Sequence, residues 1–381
     1  MIKITDKSQC CGCTACEVSC AHGAISMKPD ALGFLYPEVD QSKCVECGMC
    51  ENVCAFKTDY DTTGNLPKPI AYGARHKNME EVMKSRSGAV FVALSDYVLE
   101  HGGIVYGAGY KEHFRVAHKR ATSKSERDEF RGSKYVQSDM TGVFQSVKED
   151  LKNGLFVLFS GTPCQTAGLN AYIGKKLRNN LLLVDIICHG VPSPYMWRDY
   201  LSYIERKEGN IVSFVNFRDK EAFGWNEHKE SFTFNSIRGG GCKMTYSELF
   251  YSNLIFRKSC AKCPFTNTNR PSDITLGDFW GWEKWDADFN KDNKGVSLVL
   301  CNTPKGKEIF DKVSSALDYR EATSETYMQT RLEYPTEEHK RRDDFEKDYV
   351  KKGFEYVMCH DYNKSSFMQR VKRKIKKLIK R

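Results

Sequence analysis

The feature that most constrains this chain is a four-cysteine run, C-x2-C-x2-C-x3-C, that occurs twice near its start. Cys10, Cys13, Cys16 and Cys20 recur as Cys44, Cys47, Cys50 and Cys54, each displaced by 34 residues. Short loops of this kind bring three thiolates onto one iron–sulfur cubane, and the fourth cysteine reaches across to the neighbouring one. That rule places Cys10, Cys13, Cys16 and Cys54 on one [4Fe–4S] cluster, and Cys44, Cys47, Cys50 and Cys20 on a second. Zinc is the competing occupant, but paired C-x2-C knuckles would leave several of these thiols unused. Ala21 and Ala55 stand where proline usually follows the fourth cysteine, and Cys11 adds a further thiol beside Cys10. Neither departure removes a ligand.

Nine of the 16 cysteines lie in the first 54 residues, and four more sit in motifs, at Cys164, Cys188, Cys260 and Cys263. Clusters of this kind read as metal or redox sites rather than as a disulfide framework. Cys242, Cys301 and Cys359 stand alone and read as small buried apolar residues. No apolar run approaches the roughly 20 residues of a membrane-spanning helix, and no signal-peptide core precedes Cys10. A cytoplasmic location is expected. The formal net charge of +9 is concentrated in residues 364–381, which hold nine Lys or Arg and no acid. Removing those nine from 58 basic residues leaves 49 against 49 acidic ones, so a nucleic-acid-binding body is not expected. Phe367, Val371, Ile375 and Ile379 repeat every four residues in that tail, a pattern suited to an anionic membrane surface at the inner face.

Residues 1–58 therefore form a ferredoxin-type domain, and the polar stretch 59–70 reads as a linker. Alternating helix and strand signals follow, the pattern of an α/β (α+β) core domain. A helix is expected over 88–99, a strand over 102–110 and a helix around 143–151 with Ser138 and Asp139 as caps. The apolar runs 155–161 and 181–188 read as strands covered on both faces. The core divides into 71–150, with the flavin-loop candidates, and 151–335, with the cysteine motifs. A polar helical extension (336–363) and the basic amphipathic tail (364–381) complete the chain, and little structure is legible beyond about 290.

SRSGAV (85–90) and RGSKYVQS (131–138) place hydroxyls, glycines and a lysine where helices begin, which suits phosphate, although ordinary caps would look alike. GTPCQ (161–165) and CHG (188–190) each end an apolar strand, where ligands gather in open α/β sheets. With the C-x2-C pair in SCAKCPF (259–265), Cys164, Cys188, Cys260 and Cys263 have the thiol count of a third cubane. Buried free cysteines and half of a zinc site are the alternatives. His189 neighbours Cys188 and is a candidate catalytic proton donor, or a hydrogen-bonding neighbour of the cluster. No dinucleotide-binding glycine motif follows a strand.

Taken together, GTPCQTAGL, DIICHGVPSPYMWRDYL, FRDKEAFGW, RKSCAKCPF and RPSDITLGDFWG resemble the beta subunits of coenzyme F420 hydrogenases and dehydrogenases. The resemblance runs from about Ala71 to Trp282. It implies FAD near Ser85, Ser87, Gly88, Gly132, Ser133, Lys134, Tyr135 and Ser138, and it favours the third [4Fe–4S] cluster. Relatives commonly carry a second glycine at Ala89. The leading expectation is an iron–sulfur flavoprotein oxidoreductase that passes electrons between its ferredoxin-type clusters and FAD to reduce or oxidise an organic substrate. The alternative is a non-catalytic electron-transfer beta subunit of a hydrogenase or dehydrogenase complex, using coenzyme F420. The expected partners are a ferredoxin or another redox protein, a small-molecule substrate, and the anionic membrane surface met by the tail.

Overall fold

The computed structural model describes residues 1–235, 237–239 and 245–359. The cysteine repeat folds as a repeat. Short helices at Ala15–Val18 and Met49–Asn52 follow Thr14 and Gly48, both left-handed at φ 73° and 76°. A hairpin, β1 (Ile25–Pro29) and β2 (Leu35–Val39), joins the halves. Ile2, Cys16, Ile25 and Cys50 form the small core between them.

The larger domain is built on an eight-stranded mixed sheet. Its strands are β3 (Ile70–His76), β4 (Ile104–Tyr110), β5 (Val116–Ala121), β6 (Val157–Gly161), β7 (Leu181–Ile186), β11 (Ile274–Asp278), β12 (Ser297–Cys301) and β13 (Leu317–Ala322). They are ordered β13-β3-β12-β11-β7-β6-β4-β5, with β11, β7, β6 and β4 parallel to one another. Both faces are covered, as the apolar runs require. Leu158, Leu182 and Val184 pack under helices Val90–Glu100 and Pro304–Val313. Val157, Phe159, Leu181 and Leu183 pack under Val143–Lys152 and Pro163–Ile173 on the other side. A second sheet of β8 (Val212–Asn216), β9 (Ser231–Phe234) and β10 (Ile237–Gly239) covers helix Pro194–Glu208 through an aromatic core that includes Trp197, Tyr200, Phe217 and Tyr246.

Three features depart from the sequence reading. The segment beyond 290 contains β12, whose residues Leu298 to Cys301 are all fully buried between β3 and β11. Its apolar run SLVLC carries the same signature as β6 and β7, set among charged neighbours that mask it. Helix Val143–Lys152 is not capped by Ser138 or Asp139 but begins at Gly142, with φ 76°, a conformation glycine adopts without strain. Cys359 is exposed, whereas Cys301 is buried as expected; Cys242 lies outside the described residues. The linker is also anchored along its length, with Tyr60 Oη donating to Asn269 O at 2.8 Å and Leu66 N–H to Asn302 O at 2.7 Å.

Ser138 instead serves a buried histidine. His118 Nε2 donates to Ser160 O at 2.9 Å, and Ser138 Oγ, which accepts from Gln165 Nε2, donates to His118 Nδ1 at 2.8 Å. Burial, with the Lys134 charge adding to it, holds the imidazole down to about 4. A base with a depressed folded pKa stabilises the fold above its unfolded value near 6.5, and that contribution is lost as pH falls toward 4. Urea unfolding at pH 7.5 and at pH 5 should therefore show a loss that His118→Gln reduces by about 2 kcal/mol. An identical loss in both proteins would exclude this contribution.

Candidate electron-transfer site

The four cysteines of the first predicted set are neighbours. Burial pushes the Cys16 thiol up, and Cys13, Cys10 and Cys54 are each near enough to push it further. Burial also raises Cys54 to about 11, again with Cys13 and Cys10 alongside. The second set, Cys20, Cys44, Cys47 and Cys50, lines a single cavity near the chain start. The Ala24 N–H donates to Cys20 Sγ and the Ile2 N–H to Cys50 Sγ, both at 3.3 Å. This second set faces solvent: Cys47 is exposed, and Val45 and Met49 beside it are 58% and 49% exposed.

The core cysteines also converge. β6 and β7 pair side by side, so Cys164, just inside the helix after β6, and Cys188, just past β7, stand at adjacent strand ends. The 3-10 turn Lys258–Lys262 brings Cys260 in, held by a Val191 N–H to Cys260 Sγ contact of 3.4 Å. Burial raises Cys188 well above the ordinary thiol range, and Cys260, Cys164 and Cys263 add to the shift. Burial likewise raises Cys260 to about 12 and Cys263 to about 11. Thiols that oppose one another's ionisation become thiolates together only against metal cations, and this is the fit a cubane requires. Among the described residues no three His, Cys, Asp or Glu side chains close on a point that a single ion would occupy. A cubane, with one thiolate per iron, needs no such convergence.

The two cysteine centres are packed against each other. Cys11, buried, hydrogen-bonds with Cys13 of the first set and Cys164 of the core set; this contact is the largest influence lowering the pKa of both, Cys164 to about 7. Gly168 on the core helix is so close that a Cβ there would lie 2.7 Å from Cys13 Sγ.

A basic cleft is lined by Ser85, Arg86, Gly132, Ser133, Arg218 and Lys220, with Lys84 and Glu221 also on its wall. Asp278 is the carboxylate that organises it, accepting from Arg218 Nη1 at 2.7 Å, Arg86 Nη2 at 3.4 Å and Trp225 Nε1 at 3.3 Å. Lys220 donates to Ser87 O and Lys294 O, and burial, with the Arg86 charge adding, holds it down to about 7. Buried nitrogens remain unpartnered: Nε and Nη1 of Arg86, and Nε of Arg218. Two guanidiniums and an ammonium around one carboxylate leave donors and positive charge to spare, which is the donor set for a phosphate. Aromatic rings lead away from this cleft toward Cys188. Trp225 stacks on Trp280 at 4.7 Å, His228 on Trp280 at 5.4 Å, and Tyr251 lies between His228 and His189, at 5.0 and 5.6 Å.

Comparison with known families places this architecture. Residues 156–325 match the family described as the C terminus of the coenzyme F420 hydrogenase/dehydrogenase beta subunit. Residues 9–58 match the 4Fe-4S dicluster domain, so the chain joins an iron–sulfur domain to a beta-subunit domain and is tied to electron transfer. Among solved structures, the chain is similar to one from the F420-reducing [NiFe] hydrogenase complex of Methanosarcina barkeri. The two share 17% identity over 79% of this chain and 93% of that one, with a TM-score of 0.47. No curated protein matches the chain.

Of the eight positions expected near flavin, Ser85, Gly132 and Ser133 line the cleft, and the Ser85 hydroxyl is buried without a partner. Ser87 and Gly88 are not on its wall and are tied to the start of β12 instead: Ser87 Oγ donates to Val296 O at 2.6 Å, and Gly88 N–H to Ser297 Oγ at 2.9 Å. Ala89 adopts φ 62°, the left-handed conformation for which glycine is the usual residue. Lys134 is turned to the carbonyls of Glu129 and Arg131, and Tyr135 packs on Phe250 and Phe217. Ser138 belongs to the His118 network described above. His189 Nδ1 accepts from Arg331 Nε at 3.2 Å, and burial followed by the Arg331 charge holds its pKa down to about 4. It is thus a neutral imidazole at neutral pH, with the ring beside Phe250 and Phe256. Asp273 is structural, accepting from Leu183 N–H, Arg178 and Thr303. Sequence reasoning missed Arg86, Arg218 and Lys220, whose basic character gains meaning only once the segments around 86 and 218–220 meet.

Proposed function

We propose that the chain is an iron–sulfur electron-transfer subunit that exchanges electrons with a redox protein partner through its N-terminal clusters. Cys10, Cys13, Cys16 and Cys54 hold one cluster; Cys20, Cys44, Cys47 and Cys50 hold the second. Cys164, Cys188, Cys260 and Cys263 hold a third. The observation that carries this reading is the packing of the core cysteines against the N-terminal module, with Cys11 beside Cys164 and Gly168 against Cys13 Sγ. The comparisons favour this subunit reading over that of a self-contained reductase.

The cleft is the proposed site of FAD or of the deazaflavin coenzyme F420. Arg86, Arg218 and Lys220 would hold its phosphate. A bound flavin supplies the change from one-electron to two-electron chemistry. The protein's own groups bury the centre, donate hydrogen bonds to the sulfurs and keep His189 neutral. Anaerobic purification should yield about one flavin per chain, and a chain that binds neither FAD nor the deazaflavin would overturn the cleft assignment.

Among the described residues no helix is long and apolar enough to cross a membrane. The basic tail lies outside the described residues, so its membrane role rests on its sequence pattern. Deleting 364–381 should abolish co-sedimentation with anionic liposomes. Unchanged sedimentation would refute that role.

A further inference from the structure

We propose that Arg257 locks the cluster of Cys10, Cys13, Cys16 and Cys54 against the core domain and raises its reduction potential. This rests on the ligand assignment above. Arg257 begins the loop that carries two core cysteines: its carbonyl accepts from Cys260 N–H at 3.0 Å, and its own N–H donates to Val191 O at 3.0 Å. The side chain leaves that loop and enters the ferredoxin-type module. Nε donates to Cys10 O at 2.6 Å, and Nη2 reaches Leu35 O at 2.8 Å and Cys10 Sγ at 3.5 Å. Nη1 donates to Gln137 Oε1 at 3.1 Å, while Gln137 Nε2 donates to Cys11 O at 2.8 Å. The rings of Tyr36 and Phe34 lie 4.2 and 5.4 Å from the guanidinium. The approach is tight enough to explain Gly12, where a Cβ would stand 2.8 Å from Nη1.

This guanidinium is 1% exposed, and among the described residues no carboxylate pairs with it. A buried charge without a counter-charge costs several kcal/mol. The thiolate of Cys10 and the cluster behind it are the negative charge that the site provides. Reduction of that cluster from the 2+ to the 1+ core adds one electron to an assembly already negative, and a fixed cation at its sulfur favours the added electron. Hydrogen bonds to cluster sulfurs and local charge are established determinants of potential. The sulfurs of Cys20 and Cys50 receive backbone N–H groups and no guanidinium, and the Met1 ammonium near Cys44 and Cys50 is paired with Glu51 at 3.1 Å. The inner cluster should therefore have the higher potential of the two.

The test is an anaerobic, mediator-equilibrated redox titration of the full chain, with dithionite as reductant and paramagnetic resonance as readout. In Arg257→Gln, the reduced-to-oxidised ratio of one cluster at fixed potential should fall about tenfold, equivalent to about 59 mV for one electron. The core cluster, whose Cys260 and Cys164 also feel the guanidinium, should shift less, and the solvent-facing cluster should not move. Gln137→Glu sets a carboxylate against the guanidinium without removing it and should lower the same cluster's potential. Fully loaded variants with unchanged potentials would overturn the proposal. If Arg257→Gln loses iron, Gln137→Glu decides. A Gln137→Glu protein that also loses the cluster counts against the proposal, because the contact then serves assembly. Iron analysis of the unaltered chain separates the two readings: a missing inner cluster defeats the ligand assignment itself, whereas full loading with unmoved potentials defeats only the role of Arg257.

Discussion

Replacing Cys260 and Cys263 together by serine should lower bound iron from about twelve to about eight atoms per chain, the content of three cubanes against two. The N-terminal signals should survive, because their eight ligands lie in residues 10–54 and their small core is separate. The effect should be all or none. Cys260 and Cys263 sit on one short turn, and Cys164 and Cys188 are fixed at the ends of paired strands. Two thiolates left on those strands cannot complete a four-thiolate cubane. The fold should persist, since β6 and β7 are held by Leu158, Leu182 and their neighbours rather than by the cysteines. Iron that remains at about twelve would show that these four thiols are buried free cysteines.

Removing the two cleft guanidiniums should weaken flavin binding by about a hundredfold or more. Each charge-assisted hydrogen bond to a phosphate contributes about 1.5–3 kcal/mol, and 1.4 kcal/mol is a factor of ten. The variant of choice is Arg86→Gln with Arg218→Gln, which keeps some hydrogen-bonding capacity toward Asp278 while removing the charge. Lys220 alone cannot substitute, because burial already holds it down to about 7 and its Nζ is committed to two carbonyls. Equilibrium dialysis with FAD measures the change, and iron content provides the control. Affinity within about threefold of the parent would remove the cleft from consideration as the phosphate site.

Much of this architecture is legible in the sequence, because a few of its constraints are local. The cysteine runs specify their own loops. LFVLFSG and LLLVDIIC specify two buried parallel strands, and the rule that ligands collect at strand ends then sets Cys164 and Cys188 together. Strand β12 is hidden although its apolar run is as continuous, because the charged segments around it suggest surface. The helix start at Gly142 escapes for a different reason: a left-handed glycine leaves a weaker sequence signal than Ser138 or Asp139. The cleft is legible only through Ser85, Gly132 and Ser133, and its basic groups and the reach of Arg257 are not. Arg86 is distant in sequence from Arg218 and Lys220, and Arg257 meets Cys10 across 247 residues of chain. Only the folded sheet and the docked module bring such groups together.

The subunit reading is tested most directly by following reoxidation of the dithionite-reduced chain under anaerobic conditions. A protein acceptor such as oxidised ferredoxin should reoxidise it rapidly, while small organic acceptors other than free flavins and deazaflavins leave it reduced. Sustained turnover of a small organic substrate by the isolated chain, with no protein partner present, would contradict the account and restore the self-contained reductase.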